Sequence, residues 1–324
     1  MARAPKPPPL DGILVVDKPR GRTSHDVVEM VRRIAGFRQI GHLGTLDPLA
    51  TGVLVLALGR ATRLARFYAG RRKRYTCAIR FGFATDTYDA DGDALGPDSA
   101  PSLDSDAIAS LAAKFTGRIQ QTPPSFSAKK IHGRPAHELA RKHKPVKLEP
   151  VEVDVYEFRL TGIEGSTARF AVECGAGTYI RSLANDLGKL QGSGAHLSEI
   201  VRTAVGEFTL DQAVALADLE QEAKAGEFSK RVIPLEGMLA ELPSATVLPI
   251  VEKRVRHGAK FTLPLAQIRA GNVIAAQGAP EQLDSGEWKP ARLRVFNQQG
   301  RLVAIAEAVV PRTYQPLVVL ETSS

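Results

Sequence analysis

At 324 residues, with 44% hydrophobic and 24% charged residues, the chain has room for a large core plus a smaller second domain, and its composition excludes collagen-like, low-complexity and disordered classes. Its two cysteines exclude a disulfide framework, and no apolar run approaches the ~18 residues of a membrane span, so the sequence reads as a cytoplasmic protein without membrane attachment. The formal net charge of +8, with a sequence pI ≈ 9.5, favours an acidic partner, and nucleic acid is the first candidate.

Residues 1–10 carry four prolines and no apolar segment, which predicts a disordered tail rather than a signal peptide. Residues 12–16 form a short apolar run, a buried strand closed by turn residues 17–21. Lys18 in that turn suits a phosphate contact or a solvated surface lysine equally. Thr23 or Ser24 can cap a helix whose buried face is Val27, Val31 and Ile34, ended by Gly36.

Residues 41–58 are the centre of the chain. The first part is a loop punctuated by Gly41, Gly44 and Gly52 and carrying one carboxylate, Asp47. Pro48 locks its own φ and pushes Asp47 toward an extended conformation. The second part, residues 52–58, is an unbroken apolar run of strand length, as expected for a strand buried on both faces. A carboxylate on a stiff loop before a buried strand is rigidly supported. Asp-Pro is also a common turn opener, and local chemistry alone leaves both readings open.

Residues 60–74 hold seven basic side chains and no acidic one, with Phe67 and Tyr68 among them, which points to phosphate contact. Residues 75–81 alternate as a half-buried strand, with Tyr75, Cys77, Ile79 and Phe81 on one face. Residues 85–106 include seven aspartates, but a calcium loop fails at Ala94 and Ala100, leaving a hydrogen-bonded turn over 85–92. A helix face follows at Ile108, Leu111, Ala112 and Phe115, stopped by Gly117. Residues 120–147 are basic and loop-like. Their histidines, His132, His137 and His143, do not make a zinc motif, because Arg141 stands where a second ligand would follow His137-Glu138.

Residues 151–160 and 168–174 predict a hairpin through Gly162 and Gly165. Thr178 is a plausible cap for a helix lined by Ile180, Leu183, Ala184, Leu187 and Leu190, with Tyr179 and Arg181 at its first turn. Beyond Pro234, a short helix within 247–258 and strands at 273–276, 293–296, 302–309 and 317–320 suggest a small barrel. There is no P-loop, no dinucleotide fingerprint and no metal-ligand set, so neither a small-molecule cofactor nor a metal is expected.

The stretch Gly-His-Leu-Gly-Thr-Leu-Asp-Pro-Leu-Ala-Thr-Gly-Val-Leu at 41–54 closely resembles the central motif of bacterial tRNA pseudouridine-55 synthases, the TruB family. Lys73-Arg74-Tyr75, the Thr-Asp-Thr turn at 85–87, Gly-Thr-Tyr-Ile-Arg at 177–181 and Gly-Ala-His-Leu at 194–197 resemble further family motifs. The resemblance implies an α+β pseudouridine synthase fold: a mixed, mainly antiparallel sheet with flanking helices over 11–235, a basic RNA-covering insertion at 120–150, and a PUA-like RNA-binding β-barrel at 246–324. It implies Asp47 as catalytic nucleophile, Arg181 as its charged partner and Tyr75 as the stacking platform for the target base. His42 would fill the gap left by a flipped base, with Tyr179, Ile200, Arg202 and Lys18 as further substrate contacts. The chain departs from the family at Phe126 and His137, where tyrosines are usual, and at Gly175-Ala176, where a lysine contact is lost.

The implied partner is the T-loop of tRNA, bound by a monomer. The implied reaction breaks the N1–C1′ bond of a uridine and rejoins the base through C5. Being an isomerisation, it requires no reducing equivalent, nucleotide or metal. A non-catalytic tRNA-binding or tRNA-folding protein, or a hydrolytic N-glycosidase using Asp47, would share the basic charge and the carboxylate.

Overall fold

The computed structural model describes residues 10–124, 130–131, 134–135, 148–271 and 292–320. The readings at Phe126, at His132, His137 and His143, and the strand predicted at 273–276 lie outside them.

The chain opens with strand β1 (Gly12–Lys18) and helix α1 (Ser24–Ala35). Strands β2 (Ile40–His42), β3 (Thr51–Leu58) and β4 (Lys73–Phe81) follow. Helix α2 (Ser105–Ala113) leads to β5 (Gly117–Gln121), and a long hairpin pairs β6 (Val151–Glu164) with β7 (Thr167–Cys174). Helix α3 (Ile180–Gln191), strand β8 (Ala195–Val205) and helix α4 (Leu216–Lys224) complete the first unit. Its main sheet runs β1-β3-β8-β4-β7-β6-β5, with residues 214–215 flanking β1 at the other edge. Pairing is antiparallel except between β3 and β8 and between β1 and residues 214–215, so the sheet is mixed and mainly antiparallel.

Local chemistry accounts for the helix boundaries. Thr23 caps α1 and forms a reciprocal capping box with Asp26, and Gly36 ends the helix at φ 73°. The continuous apolar character of β1 and β3 has a tertiary cause. Leu14 and Val16, with Leu54, Leu56 and Leu58, face one core, to which α1, α3 and α4 contribute Val27, Leu183 and Leu219. Ile13 and Val15, with Val53 and Val55, face a second core on the opposite side. Both faces are covered, so period-two alternation gives way to an unbroken apolar run.

Several boundaries differ from the sequence reading. β1 continues through Lys18, so the lysine lies in the sheet rather than in a turn. β6 runs on to Glu164, with Gly162 at a register shift inside the strand, and the hairpin turns only at Gly165. Thr178 is not the cap of α3; that position falls to Tyr179, whose side chain makes no capping bond.

The C-terminal unit contains β9 (Ser244–Thr246), helix α5 (Pro249–Arg256), β10 (Arg292–Phe296), β11 (Leu302–Val310) and β12 (Thr313–Val319). With residues 261–262 beside β12 and 268–269 beside β9, the described strands form an open path, a half-barrel sheet rather than a closed barrel. Leu302, Ile305, Val318 and Leu320 pack directly into the second core of the first unit, together with Leu235, Met238 and Leu239.

Candidate active site

The loop between β2 and β3 is held from below by two buried cations, Lys18 and Arg202. Lys18 is fully buried, and its Nζ donates to the carbonyls of Ala50 (2.6 Å), Pro19 (2.9 Å) and Pro48 (3.3 Å). Burial lowers its pKa to about 8, against the opposing pull of Asp47. Arg202, 1% exposed, donates Nε to the Val53 carbonyl (2.8 Å), Nη1 to that of Thr45 (3.1 Å) and Nη2 to that of Gly44 (3.1 Å). Both were expected to contact substrate. Instead, their hydrogen bonds fix the loop's carbonyls, and Lys18 has no surface from which to meet a phosphate. Gly52 has φ +92°, and a Cβ there would stand 2.4 Å from the Arg202 carbonyl oxygen, so this close approach of backbones needs glycine.

Ser24, at the start of α1, pins the loop from the side. Its Oγ accepts from the Leu46 N–H (2.8 Å) and donates to the Leu46 carbonyl (3.0 Å). The Asp47 carbonyl accepts from the Ala50 N–H (3.1 Å), so Asp47 does open a turn. Its side chain is nevertheless directed elsewhere. Arg181 Nη2, from the first turn of α3, lies 2.9 Å from Asp47 Oδ2. The two local readings of Asp47 are therefore compatible.

Arg181 is itself shared. Its Nη1 lies 3.3 Å from Asp89 Oδ2 and donates to the Thr87 carbonyl (3.2 Å). Asp89 is oriented in turn by the Thr87 hydroxyl (2.6 Å) and the Asp91 N–H (3.2 Å), both donating to its Oδ1. The arrangement is a chain of two carboxylates bridged by one guanidinium. The Asp47 carboxyl remains 44% exposed, at the floor of a concave pocket. The surrounding protein raises its pKa; the Arg181 guanidinium opposes that rise, and Asp89 adds to it.

The pocket has a volume of about 460 Å³, within the roughly 300–1,000 Å³ of small-ligand sites. His42, Tyr75, Tyr179, Ile200 and Arg202 line it with Asp47 and Arg181. Seven of the eight residues expected from the sequence thus converge; Lys18 lies beneath. Tyr75 sits on β4 directly opposite Arg202 on β8, whose guanidinium charge partly offsets the effect of burial on the phenol. Burial raises its pKa to about 12, so it stays neutral. Burial, with Arg202 and His25 nearby, lowers the pKa of His42, whose Nδ1 is buried without a hydrogen-bond partner.

Sequence reasoning missed three residues. Asp89 was read only as part of a turn, although its place in the Thr-Asp-Thr-x-Asp run was the available signal. Lys73 lines the pocket, its pKa lowered by burial and by Arg202; the sequence puts it in the basic run and in the Lys73-Arg74-Tyr75 motif without giving it a place in the site. Gln121 carried no signal at all. That basic run also needs correction. Its compensating acids come from distant sequence: Arg60 pairs with Asp11, Arg71 with Glu241 and Arg72 with Glu173. Arg66 donates to the Leu317 carbonyl of the C-terminal unit. Arg63 and Arg74 remain exposed. Among the described residues, no group of three or more His, Cys, Asp or Glu side chains is placed to hold a metal ion, and no helix is long and apolar enough to cross a membrane.

A mixed sheet with a half-barrel attached, and an aspartate–arginine pair in a pocket lined by residues 42–202 of the first unit, is the architecture of a pseudouridine synthase. A chain of a Cbf5-Nop10-Gar1 complex superposes with a TM-score of 0.70 at 26% identity, over 96% of this chain and 85% of that one. Residues 32–180 match the TruB family pseudouridylate synthase N-terminal domain, and residues 181–240 match the tRNA pseudouridylate synthase B C-terminal domain. The tRNA pseudouridine synthase B of Solibacter usitatus is 42% identical over 313 residues, covering 96% of this chain and all of its own length. That of Thermobifida fusca is 44% identical over 306 residues, 92% of this chain and 94% of the relative. The chain belongs to the TruB family; it is a tRNA pseudouridine synthase, an isomerase.

Proposed function

We propose that the enzyme converts uridine 55 of the tRNA T-loop to pseudouridine, with Asp47 as nucleophile acting on a nucleotide everted into the pocket. The observation that carries this is the Asp47 carboxylate, accessible at the pocket floor and held 2.9 Å from Arg181. The guanidinium favours the anion that nucleophilic attack requires and fixes its direction. A stacked base must leave the loop to reach such a floor, at a cost of a few kcal/mol. Stacking on an aromatic ring returns about 1–3 kcal/mol. Tyr75 is the platform, with Ile200 and Tyr179 as neighbouring walls, and His42 occupies the position the base leaves.

The N1–C1′ bond breaks, the base turns, and C5 bonds to C1′. The C5 proton is lost and N1 gains one, so the product has the mass of the substrate. Residues 246–324 serve as a PUA-like RNA-binding unit; the exposed Lys253 and Arg254 of α5 support this reading.

The test is incubation of unmodified tRNA transcript with wild-type enzyme and Asp47→Asn, followed by nucleoside analysis. Wild type yields pseudouridine at position 55, and Asp47→Asn binds tRNA but yields none. Residual isomerisation by the variant would refute the nucleophile assignment. Release of free uracil by the wild type would point to glycosidic hydrolysis.

A further inference from the structure

Helix α3 presents Arg181 to Asp47, yet its own start lacks a side-chain cap, because the residue at that position is Tyr179. The missing function is supplied from another strand. Gln121 closes β5, is 1% exposed, and meets the backbone of Tyr179 with both ends of its amide. The Tyr179 N–H donates to Gln121 Oε1 (2.7 Å), and Gln121 Nε2 donates to the Tyr179 carbonyl (3.1 Å). The same carbonyl accepts the first helical N–H groups, from Ser182 (3.1 Å) and Leu183 (3.3 Å). A second bond joins the same two segments: the Ser182 hydroxyl, three residues beyond Tyr179, donates to the carbonyl of Thr122, which follows Gln121 (2.8 Å). The clamp grips the residue between the Gly177 turn and Arg181, where a rotation of the backbone would swing the guanidinium away from Asp47.

We infer that Gln121 is a positioning residue for catalysis: its amide fixes the start of the helix so that Arg181 meets Asp47 and the Tyr179 ring faces the pocket. Gln121 does not line that pocket and acts only through Tyr179. The inference rests on the reading of Asp47 and Arg181 as the reacting pair. Displacement of a reacting group by about 1 Å can cost on the order of a hundredfold in rate.

The amide needs one donor and one acceptor at fixed places, and this supplies a test within a single folded protein. In Gln121→Glu, an ionised carboxylate offers two acceptors and opposes the Tyr179 carbonyl. The protonated acid restores an O–H donor beside a C=O acceptor. The experiment measures kcat and KM on tRNA transcript from acidic to alkaline pH for wild type, Gln121→Ala and Gln121→Glu, with thermal melting of each.

Gln121→Ala is expected to lose about ten- to a hundredfold in kcat, with KM within about threefold and a folded melting profile. For Gln121→Glu, the ratio of variant to wild-type kcat is expected to rise as pH falls. A wild-type kcat in Gln121→Ala overturns the inference, as does a variant-to-wild-type ratio independent of pH. Asp47→Asn, assayed alongside, separates the two readings. If it retains activity, the nucleophile assignment fails, while the pH-dependent rescue of Gln121→Glu still reports on Tyr179 alone.

Discussion

Asp47 is one carboxylate under opposed influences. The protein around it raises its pKa, and Arg181 pulls it back. As the proposed nucleophile, Asp47 must be ionised, so activity is expected above its folded pKa and is expected to be lost as pH falls through that value. The acidic limb of the pH–rate profile therefore lies above that of an ordinary aspartate. Arg181→Gln removes the opposing charge, so this limb is expected to move to higher pH and kcat to fall on the order of a hundredfold or more. A pH series of single-turnover rates checks both; an unmoved limb would mean that Arg181 does not control the ionisation of Asp47. The same bookkeeping applies to stability. The folded state holds a proton on Asp47 over a pH range where the unfolded chain has released it, so ionisation in the fold costs stability. Replacing the charge by Asn is thus expected to leave the melting temperature unchanged or raised at neutral pH, a trade familiar at functional sites.

The loop carrying Asp47 owes its shape to neighbouring elements more than to itself. Lys18 of β1, Ser24 of α1 and Arg202 of β8 each bond its backbone. Gly52 lets β3 pass against β8 at a separation no side chain permits. Gly52→Ala combines a left-handed φ with a backbone clash, so it is expected to destabilise the protein by about 1–3 kcal/mol or more and to displace Asp47. Denaturant titration reads the first effect and the rate reads the second. At this scale the sequence was informative where a rule is local: the cap at Thr23, the stop at Gly36 and the alternation of β4. It was silent where one element completes another, as Gln121 completes α3. A lone glutamine at the end of a strand has no pattern to announce it.

Over the whole molecule, the basic run after β3 divides its labour. Arg60, Arg66 and Arg71 tie the first unit together or reach the C-terminal unit, whereas Arg63 and Arg74 face outward. Arg74→Glu is expected to weaken tRNA binding, to lower the salt dependence of the affinity by about one counterion or more, and to leave the melting temperature unchanged. Arg71→Ala is expected to lower the melting temperature, because it removes the cation paired with the half-buried Glu241. Filter binding across a salt series and thermal melting distinguish the two; equal effects on both measurements would refute the division.

The sequence by itself determined the identity of the family, the strand and helix alternation of the first unit, and seven residues that converge on the pocket, out of eight it put forward. These are written in short motifs whose backbone demands are local: a glycine-punctuated loop, an Asp-Pro, a strand with an aromatic at its start. Only the tertiary structure decided which cations are bonded inside the fold and which stay exposed, because a lysine or arginine looks the same in sequence whether its hydrogen bonds go to water, to phosphate or to buried carbonyls. It also decided where the acids opposite the basic run come from, and that Asp89 and Gln121 stand behind Arg181. Such pairings join residues tens to hundreds of positions apart, and their energies depend on burial and distance, which exist only once the chain has folded.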